Sequence, residues 1–89
     1  MLRIEFAKPA PDRRVLRLSG RLMDLWVDEL RRSCQELLGN GVTLALDLSD
    51  VSFVDHAGVG LLSELIQRGV LLMYCPDFVR EQLRSRRAE

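Results

Sequence analysis

Asp55 and His56 are the one adjacent pair in this chain with proton-transfer chemistry to offer, a carboxylate beside an imidazole. Catalysis would need more: a nucleophile, or a metal with further ligands. Cys75 is the thiol that could complete an Asp–His–Cys set, but nothing in the spacing supports such a triad. The chain holds one histidine and no CxxC or HxxxH spacing, so a zinc site is not expected. Gly58 and Gly60 lack the third glycine of a dinucleotide loop and the lysine of a Walker motif. They read instead as points of close backbone approach, against the sheet or a partner. Ser49, Ser52 and Ser63 place hydroxyls around this stretch and read as local hydrogen-bonders. Neither a cofactor nor a metal is expected.

The elements around the pair explain its placement. Val42 to Leu48 reads as a buried strand, with Leu44, Leu46 and Leu48 on one face and Thr43, Ala45 and Asp47 on the other. Asp47 is expected to hydrogen-bond backbone at a loop or strand end. A polar loop and a short apolar group, Val51, Phe53 and Val54, lead to Asp55. From Ala57 to about Gln67, Leu61, Leu62, Leu65 and Ile66 recur at helical spacing. Asp55 stands where a helix N-cap belongs, because its carboxylate can accept from unpaired amides of the first turn; direct contact with a partner is the second reading, and one residue can do both. His56 is either an inconsequential loop residue or a partner contact. The positive end of the helix dipole disfavours an imidazolium there, which argues against a pH switch. Val59, Gly60, Ser63 and Gln67 fall largely away from the leucine stripe and form a small, weakly polar face suited to docking a protein.

The flanking sequence supplies the rest of a sheet and its covering helices. Leu2, Ile4 and Phe6 alternate with Arg3 and Glu5 as in a half-buried strand, and Lys8 to Asp12 reads as a turn. Val15, Leu16 and Leu18 form a second strand that stops at Ser19-Gly20 and pairs with the first. Leu22, Trp26, Leu30, Cys34 and Leu37/Leu38 mark a helix whose stripe includes Trp26 as core, with an Asp28–Arg32 pair on the outer face. Gly39-Asn40-Gly41 ends it. Gly69 is a natural stop for the next helix. Val70 to Tyr74 reads as a buried strand, while the spacing of Gly58, Leu61, Leu62, Leu65, Ile66, Gly69 and Met73 also permits one longer helix; both stay open. Cys75-Pro76-Asp77 starts a last helix with Phe78, Val79 and Leu83 on its apolar face, and residues 84–89 are expected to fray. The basic side chains Arg80, Arg84, Arg86 and Arg87 read as a solvated face.

With 89 residues the chain makes one domain, 1–89. Zero formal charge argues against a general binder of nucleic acid or acidic membrane. The charged N-terminus does not resemble a signal peptide, and no apolar run approaches the roughly 20 residues of a membrane span. A cytoplasmic location is the expectation. Cys34 and Cys75 then read as small apolar residues rather than a disulfide.

Asp47-Leu48-Ser49, Val51-Ser52-Phe53-Val54-Asp55 and Gly58-Val59-Gly60-Leu61-Leu62 resemble the signature of the STAS domain, the fold of sulfate transporters and anti-sigma-factor antagonists. The resemblance implies an α/β fold with a mixed four-stranded sheet and three helices in the order ββαβαβα. It also implies that the connection after the central helix is shortened by about two turns. The family often has G-x-[LI]-D before its first long helix. Here Gly20-Arg21-Leu22-Met23 is followed by Asp24, one place late, and no role is transferred to it.

At the loop tip many antagonists carry D-S-S-G or D-S-T-G, whose second hydroxyl is phosphorylated by a partner kinase. This chain has Asp55-His56-Ala57-Gly58, so Ala57 holds the acceptor position. The resemblance implies a non-catalytic protein-binding module that meets an anti-sigma factor or switch-protein kinase through Asp55, His56, Ala57, Gly58, Val59, Gly60, Ser63 and Gln67, without the phosphate switch. The alternative is a soluble subunit bound to the ATPase of an ABC-type lipid or anion transporter. A homodimer through an exposed apolar edge is a further option.

Overall fold

The computed structural model describes residues 2–7 and 13–87; the turn read over residues 8–12 and the last two residues, 88–89, lie outside them. Four strands and three helices follow in the expected order: β1 (Leu2–Phe6), β2 (Arg13–Leu22), α1 (Leu25–Gly39), β3 (Thr43–Val54), α2 (His56–Gln67), β4 (Leu71–Met73) and α3 (Asp77–Arg87). The sheet has the order β1-β2-β3-β4. β1 runs antiparallel to β2, whereas β2, β3 and β4 are parallel. Two successive crossovers step the same way across the sheet. Because such crossovers are right-handed, α1 and α2 must cover the same face.

The core confirms that geometry. Leu2, Leu16, Leu18, Leu44, Leu46 and Leu48 from the strands cluster with Val27, Leu30 and Cys34 of α1, Leu61, Leu62 and Leu65 of α2, and Val79 and Leu83 of α3. Burying each such leucine contributes about 1.5–3 kcal/mol. Burial in this cluster pushes the Cys34 thiol up to about 11, partly offset by Arg68. Cys34 and Cys75 are both free thiols. The alternate face carries Arg3, Glu5, Arg17, Ala45 and Asp47, with ion pairs Arg3–Glu5 at 2.7 Å and Arg17–Asp47 at 3.6 Å.

The structure corrects several boundaries. β2 runs on to Leu22, so Leu22 is a strand residue rather than the start of the α1 stripe. Val27 takes the buried place on α1, while Trp26 packs only partly against the core. Glu29, not Asp28, pairs with Arg32, at 3.5 Å. No loop interrupts the centre: β3 continues through Ser49 to Val54. The register against β2 shifts once between Arg17 and Ser19 and again between Gly20 and Arg21, each time with an extra residue in β3. Such bulges keep an apolar face while breaking the two-residue period. Leu48, Val51 and Val54 therefore all stay buried at a spacing of three. Asp47 sits within the strand, where its Oδ1 accepts from the Ser49 N–H at 3.0 Å and hydroxyl at 2.7 Å. Desolvation opposes its charge, yet the Ser49 donors and the Arg17 guanidinium hold its carboxyl below the usual range.

The chain from Gly69 onward resolves the remaining alternative in favour of a strand. Gly69 has φ 91°, and its N–H and that of Val70 donate to Ile66 O and Leu65 O, both at 3.0 Å. That pair of bonds is the Schellman ending, which a left-handed glycine permits. β4 follows at once but spans only Leu71–Met73, shorter than Val70 to Tyr74. In α3, Val79 and Leu83 are buried while Phe78 is 42% exposed, and the helix extends to Arg87.

Candidate partner-docking site

β2 and β3 end side by side at Leu22 and Val54, and each delivers the chain into a helix. The starts of α1 and α2 are thus neighbours at one end of the sheet. At the second, the Asp55 carboxylate performs the N-cap expected of it: Oδ1 accepts from the Gly58 N–H at 2.7 Å. Its other oxygen, Oδ2, accepts from the Asp24 N–H at 3.0 Å. The Asp55 N–H donates to Leu22 O at 3.1 Å, extending the ladder by one step. Both carboxylate oxygens therefore serve backbone amides and not His56, which removes the orientation a triad would require.

Gly58 is buried in the first turn, and close approach is its role. A Cβ there would lie 2.7 Å from Val54 Cγ1 and 2.9 Å from the Leu22 carbonyl oxygen. The helix start is pressed directly onto the ends of β2 and β3.

Of the residues expected to face a partner, His56, Ala57 and Gln67 are exposed and Asp55, Gly60 and Ser63 are half-buried. Gly58 and Val59 are buried, Val59 at 4% exposure, and so cannot form an open face. The expected exposed face needs correcting at Val59, and the stripe at Ile66, which is 36% exposed. The reason is the wide buried arc of α2, which packs on the sheet and also meets α1 and α3. Glu64 completes the outer row His56, Gly60, Ser63/Glu64 and Gln67, and Arg31 of α1 reaches it in an ion pair.

Beside the tip lie residues the periodicity did not single out. Leu25 is 62% and Phe53 45% exposed, and Arg21, Met23, Ser52 and Phe53 line a shallow open pocket of about 390 Å³. No periodicity signal separates Leu25 from the core, since Val27 lies off the same stripe and is buried. Ser52 hydrogen-bonds across strands rather than locally, its hydroxyl donating to Gly20 O of β2 at 3.1 Å. Among the described residues, no group of three or more His, Cys, Asp or Glu side chains gathers for a metal, and no helix is long and apolar enough to cross a membrane.

A family model described as "Mlab, STAS domain" matches residues 7–84. The chain belongs to the STAS domain family. Among solved structures, this STAS domain is similar to the anti-sigma factor antagonist SpoIIAA in its unphosphorylated form, at 23% identity and a TM-score of 0.74. The match covers 89% of this chain and 79% of that one. It is also similar to a protein of the DUF3478 family with a SpoIIAA-like fold from Shewanella loihica PV-4, at 10% identity and a TM-score of 0.59, covering 84% of this chain and 67% of that one. Both likenesses bear on the fold. No curated protein matches the chain.

Proposed function

We propose that this STAS domain is a non-catalytic docking module that binds another protein through the exposed row of α2, beginning at His56 and Ala57 in its first turn. The observation that carries this reading is the tip itself: His56 and Ala57 are exposed at a helix start clamped to two strand ends. A stiff, pre-formed knuckle loses little conformational freedom on binding. The anti-sigma factor or switch-protein kinase inferred from the family resemblance remains one partner class. The ATPase of an ABC-type transporter is the other, and Ala57 favours it. A methyl group cannot accept phosphate, so the contact has no charge switch at this position, and a permanent contact suits a standing subunit better than a switched antagonist.

Co-purification of the tagged chain with an ABC-type ATPase is the expected result; recovery of a kinase-fold anti-sigma protein instead would return the first class. After incubation with a cognate kinase, mass spectrometry should detect no phosphate near the tip. Phosphate on His56, Ser52 or Ser63 would overturn the constitutive reading.

A further inference from the structure

Asp24 has φ 53° and ψ −131°, a conformation glycine adopts freely and an aspartate does not. With the Trp26 N–H donating to Met23 O at 3.1 Å, residues 23–26 form a type II′ turn whose first central position glycine dominates. Asp24 does not offset that strain with a cap of its own, since its side chain makes no capping bond to α1. A further bond to the turn comes from the start of α2, where Asp55 Oδ2 accepts from the Asp24 N–H.

We infer that Asp55 is a positioning residue for the docking surface: one carboxylate caps α2 and pins the Asp24 turn, thereby fixing Leu25 beside the tip. This rests on the docking reading above. Asp55 contributes to partner affinity without touching the partner, because each of its oxygens faces an amide of its own chain. An exposed leucine on an unpinned turn would sample many orientations, and ordering it would weaken binding.

Asp55→Ser separates the two duties. Serine is an equally good N-cap for the Gly58 N–H but is too short to span to Asp24. Asp55→Asn offers a single acceptor oxygen and presents its NH₂ to the second amide. In either variant the amide of residue 24 should exchange with solvent at least about tenfold faster, while Gly58 in the serine variant stays within about threefold. Affinity for the purified ABC-type ATPase subunit should fall about tenfold. Adding Asp24→Gly, which holds the turn without help, should restore most of it. Unchanged exchange at residue 24, or unchanged affinity once it is released, overturns the inference. The docking reading has its own control: Ala57→Arg with undiminished affinity would sink it, while exchange at residue 24 still judges the clasp.

Discussion

Gly58 shows how one missing methyl fixes the site. The Leu22 carbonyl is backbone held in the β2–β3 ladder and cannot yield, so the usual gain of about 1 kcal/mol from replacing glycine in a helix is outweighed by overpacking of about 1–3 kcal/mol. Gly58→Ala should lower stability by up to about 2 kcal/mol, at roughly 4–8 °C of melting temperature per kcal/mol for a domain this size. Gly39→Ala, at a position with nothing within 4 Å of the new Cβ, is the matched control and should be neutral or stabilising. Equal losses in both variants, read by thermal unfolding, would show that contact geometry at Gly58 is not the cause.

The next scale is the element, where β3 does the positioning. Its first bulge is closed by Asp47, which satisfies the Ser49 amide. The folded-state pKa of Asp47 is depressed, so its contribution is complete above the unfolded value of about 3.9 and fades as pH falls through the lower folded value. Asp47→Asn should therefore cost about 1 kcal/mol at pH 7, and the gap to the parent should close toward acid. A gap in urea unfolding that persists unchanged to pH 2 would reject this. The same strand shows what the sequence could and could not disclose. The alternation Leu44, Leu46, Leu48 was legible because it has one period. Beyond Leu48 the strand read as a polar loop and a separate apolar group, Val51, Phe53 and Val54, because each bulge changes the period. Asp55 was legible as a cap, since capping is local. Its bond to Asp24 was not, because it joins residues 31 apart whose meeting depends on strand register. Val59 was misplaced for a related reason: helical spacing locates the centre of an apolar stripe, but its width depends on how many neighbours pack around it.

For the molecule as a whole, one-sided covering by helices separates two surfaces. The proposed docking end lies where β2 and β3 pass into α1 and α2; the sheet face opposite the helices carries the Arg3–Glu5 and Arg17–Asp47 pairs. The two differ in what a substitution can do. Arg3 and Glu5 are exposed, and such a pair contributes between zero and about 1 kcal/mol. Arg3→Ala should thus leave stability nearly unchanged and partner capture intact. At the tip, Ala57→Arg adds bulk and charge on an exposed first turn without entering the core, so folding should survive while capture is lost. Circular dichroism and a pull-down on the two variants read both quantities. Loss of capture by Arg3→Ala at full stability would move the partner to the open sheet face, and α2 would then be only a wall of the core.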